Sequence, residues 1–262
     1  IYLVLFFYLY IKFSMNSILL SFLITILAGF STMIGIFPIY FHKKSQDIII
    51  PVCLSFAAGV MISISLFSLI PEAIDAISQS FVLFPAILIV SIFIVIGVLF
   101  SSFVDQKIEK KFANNQLYKL GLISVIALMF HNIPEGITTF ISSNQDLRLG
   151  ITLSIGIALH NIPEGISIAV PIYYATKNKK KAILLTFISG FSEFFGAVLA
   201  YLFLAPIITS LGLGVILALA AGIMIHISIY ELVPTAYRYS CFFKNTIAFI
   251  IGFFVMLFTI FL

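Results

Sequence analysis

Residues 150–174 read GITLSIGIALHNIPEGISIAVPIYY, an apolar stretch that is interrupted at its centre by a histidine, an asparagine and a glutamate. A helix that crosses the hydrocarbon core of a bilayer needs about 20 predominantly apolar residues, so this stretch predicts a transmembrane helix. Ionisable groups in the middle of such a helix cost about 2.5–3.5 kcal/mol each on insertion scales, and they are therefore expected to have a function.

The rest of the chain has the same membrane character. Of its 262 residues, 62% are hydrophobic and 9% are charged, against about 45–50% apolar and about 25% charged residues in soluble domains. We therefore expect an all-α fold, a polytopic membrane bundle that forms a single domain over residues 17–262. Residues 1–16 are left unassigned, as a leader or a partial helix. The eight predicted spans are 17–41, 49–78, 84–104, 119–142, 150–174, 182–207, 211–236 and 245–262.

The positive charges lie in the gaps between the apolar runs and predict an orientation. The net charge of +4 is interpreted as a membrane-orientation signal, and no nucleic-acid partner is expected. Cytosolic loops are enriched in Lys and Arg, so the side with twelve of these charges is assigned to the cytosol and both termini to the outside. The two remaining charges, Lys12 and Arg148, fall on the other side. The isolated Cys53 and Cys241 indicate neither a disulfide nor a thiolate site.

The central hexamer of the fifth span occurs twice, as His131–Gly136 and as His160–Gly165. His and Glu at positions i and i+4 share one face of a helix, and the proline between them frees a backbone carbonyl and bends the helix. Both histidines are expected about 15–18 Å deep, near the middle of the membrane. Two antiparallel copies of one motif resemble the inverted repeats of transporters. The candidate ligands are His131, Asn132, Glu135, His160, Asn161 and Glu164.

Other polar residues are predicted at the same depth or along a path to it. Glu193 in the sixth span and Met61 in the second span are candidate ligands at mid-depth. Acidic groups at the outer mouth, the centre and the inner mouth indicate a path for a cation. The weaker candidates for this path are Ser68, Glu72, Asp75, His226 and Glu231. Imidazole, carboxylate and amide ligands without thiolate suit zinc, ferrous iron, manganese or cobalt better than copper(I).

Three alternatives to a metal carrier differ in what they require. An intramembrane metallohydrolase favours two histidines one turn apart with a glutamate base, whereas each span here has one histidine. A metal-sensing receptor needs a soluble output domain, which the sequence lacks. A metal-selective channel stays open as an alternative, and it would be distinguished by flux that does not saturate. A structural role for the paired hexamers, as hydrogen-bonding contacts between helices, is disfavoured by its cost.

At these residues the chain resembles the ZIP (Zrt-, Irt-like) metal transporters, and among them the bacterial ZupT-like branch. The resemblance is most specific over residues 157–200, which contain the segments ALHNIPEG and SGFSEFFGA. It implies uptake of zinc, and also of iron, manganese, cobalt or cadmium, into the cytosol. It further implies a homodimer and a binuclear metal centre formed by spans 2, 4, 5 and 6. We expect transport by alternating access in the cell membrane, and no prosthetic group.

The resemblance also implies how the residues divide between two metal subsites. Met61 or its neighbour Val60 joins the first subsite, and Glu135 and Glu164 are shared by both. Glu231 corresponds to a carboxylate of the inner exit route. His160 stands where some members have Gln, Asn161 replaces an Asp of some members, and His226 matches no family ligand. The first subsite comprises His131, Glu135 and Glu164, and the second adds Asn132, Asn161 and Glu193.

Overall fold

The computed structural model describes residues 17–40, 46–112, 115–204, 209–239 and 242–260. The unassigned N-terminal segment 1–16 therefore lies outside the described residues, as does Cys241. The described ranges contain helices and no β-strand, which confirms the predicted all-α class.

Among the described residues, eight helices are long and apolar enough to cross a membrane, as predicted. They match the predicted spans in number and order, and most reach a few residues farther at their polar ends. The predicted orientation of the termini stays a prediction. The helices are α1 (Ser17–Tyr40), α2 (Asp47–Ser78), α3 (Leu83–Glu109), α4 (Gln116–Gln145), α5 (Leu147–Thr176), α6 (Lys179–Phe203), α7 (Ser210–Tyr239) and α8 (Phe242–Ile260).

A single residue, Asp146, connects α4 to α5. Its backbone N–H donates to Ser142 at the end of α4, and its carboxylate accepts from the backbone N–H groups of Arg148 and Leu149 at the start of α5. A side-chain acceptor at this position satisfies N–H groups that have no partner within the helix. The connection makes α4 and α5 a tight antiparallel hairpin, so residues equally far from Asp146 lie at equal depth.

Three of the helices contain a short π-helical segment. These segments span Ser65–Leu69 in α2, Ala200–Leu204 in α6 and Ile227–Leu232 in α7. A π-helical turn accommodates an extra residue and is frequently found at functional sites. Two of the residues predicted to line the cation path, Ser68 and Glu231, lie in these segments.

The helices pack as two groups. In the first group α1, α4, α5 and α6 contact one another, and in the second group α2, α3, α7 and α8 do so. The groups meet through α2 against α5 and through α4 against α3 and α7. The hairpin of α4 and α5 therefore belongs to one group and faces the other.

Glycine allows the closest approaches within each group. At eleven glycines an added Cβ would fall within 2.5 Å of a backbone atom on a neighbouring helix, a separation that no side chain tolerates. All of these contacts join helices of the same group, as expected for close packing between small residues in membranes. The eleven are Gly29, Gly35, Gly136, Gly150, Gly165, Gly190 and Gly196 in the first group and Gly59, Gly97, Gly222 and Gly252 in the second.

Candidate metal centre

The hairpin brings the two hexamers together at one depth. His131 and His160 lie fifteen and fourteen residues from Asp146 on its two sides, which corresponds to about 22 and 21 Å along the helices. The two imidazole rings have centroids 6.4 Å apart. The two copies of the hexamer therefore meet, and their depth in the membrane stays a prediction.

Four side chains from α4 and α5 form the centre of the cluster. His131 Nε2 lies 3.0 Å from Glu135 Oε1 and 3.4 Å from Glu164 Oε1. His160 Nε2 forms a hydrogen bond of 2.7 Å with the same Glu135 oxygen. All four side chains are buried, none more than 4% exposed. Each helix contributes one imidazole and one carboxylate, as the spacing of the hexamers predicts.

The geometry of three of these residues fits one metal ion. One ligand atom each from His131, His160 and Glu164 lies within 4.8 Å of the others, and this is the only such group of His, Cys, Asp or Glu among the described residues. Zinc binds nitrogen and oxygen at about 2.0–2.2 Å in a tetrahedral arrangement, so two ligand atoms of one ion lie about 3.3–3.6 Å apart. The three atoms therefore have to move together by up to about 1.5 Å to close around an ion.

A second set of polar groups lies beside the first, towards α6 and α1. The Asn161 amide donates both to Glu193 and, at 2.9 Å, to the backbone carbonyl of Ala28 in α1. The Asn132 amide donates to the carbonyl of Ser189 in α6 at 3.2 Å. Asn161 and Glu193 are thus in contact and Asn132 is fixed against α6, while the second subsite itself stays a prediction. The contribution of α1 through Ala28 was not predicted, since a backbone carbonyl leaves no mark in the sequence.

The cluster contains many buried polar atoms that lack a hydrogen-bond partner among the described residues. Buried polar groups in proteins are nearly always hydrogen-bonded, because an unpaired one costs free energy. Most of the unpaired atoms here are oxygens, which favours a cation as their partner. They include Asn132 Oδ1, Asn161 Oδ1, Glu135 Oε2, Glu193 Oε2 and both carboxylate oxygens of Glu164.

A cavity of about 40 Å³ joins the centre to the predicted outer side. It is lined by Glu135 and His160 at one end and by Ser68 and Glu72 of α2 at the other. Ser68 Oγ donates to the carboxylate of Glu72, which is exposed at the surface. The structure therefore connects two of the predicted access residues with the centre. Asp75 is exposed and does not line this cavity.

Met61 lies among apolar residues. It is fully buried and belongs to the hydrophobic core, together with Val60. Its backbone carbonyl accepts a hydrogen bond from Ser65 at 2.7 Å. No contact between its sulfur and the other candidate ligands is seen in the described residues, and its role as a ligand stays a prediction.

On the predicted cytosolic side, Glu231 is part of an ion-pair cluster. Its carboxylate lies 3.6 Å from Lys119 Nζ, which also contacts Asp105 at 2.8 Å. The Nδ1 atom of His226 lies 2.9 Å from Ser101 Oγ, and its ring stacks on Tyr230. These two contacts fix the position of the His226 side chain. In the sequence analysis Lys119 serves only as a charge that indicates orientation, and Asp105 is not a candidate. Both residues lie at the facing ends of two consecutive spans, and this position is the signal that could have indicated an ion pair between them.

Comparison with known proteins relates the chain to one family. The profile of the family described as "ZIP Zinc transporter" matches residues 107–260. The chain is 38% identical over 255 residues to the zinc transporter ZupT of Clostridium perfringens, covering 86% of this chain and 90% of that protein. It is 39% identical over 243 residues to the zinc transporter ZupT of Oceanobacillus iheyensis, covering 86% and 91%. The zinc transporter ZupT of Chlorobaculum parvum is 37% identical over 241 residues.

An eight-helix membrane bundle with a buried histidine–carboxylate cluster defines the class as an integral membrane transporter of divalent metal ions. The chain belongs to the ZIP zinc transporter family. The membership confirms the resemblance predicted from the hexamers, and it makes the chain a transporter and not an enzyme. The metallohydrolase alternative is thereby excluded.

Proposed function

We propose that this chain takes up zinc and related divalent cations into the cytosol by alternating access, through a binuclear centre at the middle of the membrane. The observation that carries the proposal is the group formed by His131, His160 and Glu164, whose ligand atoms lie within 4.8 Å of one another. Around it lie buried oxygens that have no hydrogen-bond partner among the described residues.

The first step is access from the outer side. Glu72 lies at the mouth of the cavity that ends at Glu135 and His160. A carboxylate at this point attracts a cation and lengthens its residence there. The cavity of about 40 Å³ holds few water molecules, since one water needs about 10–15 Å³. The ion therefore loses most of its hydration shell before it reaches the centre.

The second step is binding at the centre. The first ion is held by His131, Glu135, His160 and Glu164, which replace water with two imidazoles and two carboxylates. A second ion is held by Asn132, Asn161 and Glu193 with the shared carboxylates. Met61 is proposed as a further ligand from α2. The ligands come from two helices and do not form a rigid tetrahedral cage. The centre is therefore expected to bind zinc less tightly than a structural zinc site does, and weaker binding favours release of the ion.

The third step is a relative movement of the two groups of helices. The close glycine contacts lie within the groups and not between them. Each group is therefore expected to move as a unit, because interdigitated backbones resist rearrangement. The centre lies in the group of α1, α4, α5 and α6, and the outer mouth at Glu72 lies in the other group. A displacement of one group against the other closes the outer cavity and opens the way past Glu231.

The driving force and the assembly are also part of the proposal. A negative interior favours the inward movement of a divalent ion by about 4.6 kcal/mol at 100 mV, from about 2.3 kcal/mol per charge. Residues 17–262 are proposed to form a single transporting domain, which works as a homodimer in the cell membrane. A homodimer is expected from the family resemblance and is tested by cross-linking in the membrane.

The proposal is tested with purified protein in proteoliposomes. Zinc uptake is measured against zinc concentration, and then in competition with ferrous iron, manganese, cobalt and cadmium. A carrier gives uptake that saturates, and competing ions that use the same ligands lower it in the order of their affinity. Uptake that rises linearly with concentration and is insensitive to the other ions supports the channel alternative and contradicts the carrier.

A further inference from the structure

Lys119 is surrounded by three carboxylates on the predicted cytosolic side. Its Nζ lies 2.8 Å from Asp105 Oδ1, 3.5 Å from Glu109 Oε2 and 3.6 Å from Glu231 Oε1. The side chain of Lys119 is 14% exposed, that of Asp105 17% and that of Glu231 9%, so these two pairs are shielded from bulk water, whereas Glu109 is 58% exposed. Three carboxylates around one ammonium carry a formal net charge of −2 when all three are ionised.

The cluster lies at the far end of the same helix that holds the centre. Lys119 precedes His131 on α4 by twelve residues, about 18 Å along the helix. A separate cavity of about 100 Å³ is lined by Glu109, Lys119 and Glu231 and by none of the candidate ligands of the centre. In this conformation the cavity at the centre leads to Ser68 and Glu72, while Lys119 lines the cavity at the inner end.

The cluster also joins the two groups of helices. Lys119 belongs to α4 in the first group, Asp105 and Glu109 belong to α3, and Glu231 belongs to α7 in the second group. The three ion pairs therefore cross the surface at which the groups are proposed to move. A movement that opens the inner side has to separate or rearrange these charges.

We propose that the ammonium of Lys119 is a tethered cation that holds the inner release site, and that a transported ion displaces it before leaving for the cytosol. The inference rests on the proposed route past Glu231. A divalent ion is favoured over the ammonium by its double charge, which lowers the net charge among the three carboxylates from −2 to −1. Metal–oxygen distances are about 2.0–2.6 Å, so the carboxylates close in around the ion once the ammonium has left.

Displacement in this direction gives Lys119 a defined role in release. The departing ion has to compete with an ammonium that is covalently attached and always present. This competition keeps the dwell time of the ion at the three carboxylates short. After each release the ammonium forms its ion pairs between α4, α3 and α7 again. These ion pairs favour the conformation that is open to the outer side. Lys119 is thus a positioning residue for release and not a ligand of the metal.

The first test measures zinc binding by equilibrium dialysis with radioactive zinc, in the background Glu135→Gln/Glu164→Gln that lacks the central carboxylates. Adding Lys119→Met is expected to create one further zinc equivalent, bound at least about tenfold more tightly than in the background alone, a gain of about 1.4 kcal/mol. Adding Glu231→Gln as well is expected to abolish it. Lys180→Met removes an exposed lysine from the same predicted side and is expected to change nothing.

A conservative variant separates displacement from a merely structural role. Lys119→Arg keeps a positive charge at the three carboxylates, and it is expected to bind no extra zinc. If Lys119→Met does not fold, Lys119→Gln takes its place, because it retains a hydrogen-bond donor for Asp105. The proposal is contradicted if neither neutral variant binds an additional zinc equivalent. It is also contradicted if the additional equivalent is still bound when Glu231→Gln is present.

The second test measures uptake with an intact centre. Lys119→Met is expected to lower the maximal rate of zinc uptake several-fold while the half-saturating zinc concentration at the outer side changes little. Lys119→Arg is expected to restore the rate. An unchanged rate in Lys119→Met contradicts the proposal. Because the binding test needs neither flux nor the central carboxylates, it separates a failure of this inference from a failure of the proposed transport function.

Discussion

Glu135 Oε1 lies 2.7 Å from His160 Nε2 and 3.0 Å from His131 Nε2, so one carboxylate oxygen contacts the histidines of both α4 and α5. The contact crosses from one copy of the repeated hexamer to the other. It exists because the single-residue connection at Asp146 places the two copies at equal depth. The centre is thus formed by the hairpin as a whole, and both of its helices have to be in register.

Close packing of α4 on α6 is expected to hold Glu193 beside this centre. A Cβ at Gly136 would lie 1.9 Å from the backbone oxygen of Glu193, so Gly136→Ala forces the two helices apart. We expect a loss of stability of about 1–3 kcal/mol, the usual cost of overpacking, and a loss of zinc uptake. Thermal unfolding followed by circular dichroism and uptake into proteoliposomes measure the two effects.

The matched control for this substitution is Gly156→Ala in α5. A Cβ at Gly156 meets no atom within 4 Å, and alanine is favoured over glycine in a helix by roughly 0.5–1 kcal/mol. Gly156→Ala is therefore expected to retain uptake with equal or slightly higher stability. Equal effects of the two substitutions would contradict the role given to the packing of α4 on α6.

The outer cavity predicts different roles for the two acidic residues near the end of α2. Glu72→Gln removes the carboxylate at the cavity mouth, and we expect a roughly threefold to tenfold higher half-saturating zinc concentration, about 1 kcal/mol, with a similar maximal rate. Asp75→Asn serves as the control, because Asp75 is exposed and does not line the cavity. Initial uptake rates over a range of zinc concentrations distinguish the two. A larger effect of Asp75→Asn would place the access route elsewhere.

The second subsite predicts the number of ions that the centre binds. Glu193 accepts a hydrogen bond from Asn161 through one oxygen, and its other oxygen has no partner among the described residues. Glu193→Gln keeps the shape and removes the charge. We expect the purified protein to bind two zinc ions and the variant to bind one, as measured by equilibrium dialysis. A wild-type protein that binds a single ion, or a variant that still binds two, would exclude a binuclear centre that depends on Glu193.

Much of this architecture could be predicted from the sequence because each feature has a local cause. Apolar length determines the eight spans, and the repeat of the hexamer at similar distances from one loop determines that His131 and His160 meet. Glu193 could be identified as a buried carboxylate in an otherwise apolar span.

Other features depend on contacts between distant parts of the chain. The carbonyl of Ala28 contacts Asn161 because α1 lies close against α5, an approach that Gly35 and Gly165 allow. The ion pairs of Lys119 depend on how α3, α4 and α7 pack, and Asp105 has no periodic pattern that would mark it. The burial of Met61 in the apolar core likewise depends on packing, since a methionine in an apolar span suits a ligand and a core residue equally well.

The measurement that tests the central claim most directly is uptake of radioactive zinc into proteoliposomes by the wild-type protein and by Glu135→Gln/Glu164→Gln. The matched control is Asp47→Asn/Asp75→Asn, which removes two exposed carboxylates. Each lost contact between the ion and a charged side chain is worth about 1.5–3 kcal/mol. We therefore predict that uptake by the central variant is at least about a hundredfold slower. Uptake by the wild type and by the control is predicted to be saturable. Uptake by a folded central variant at the wild-type rate would contradict the proposal that the ions pass through this centre.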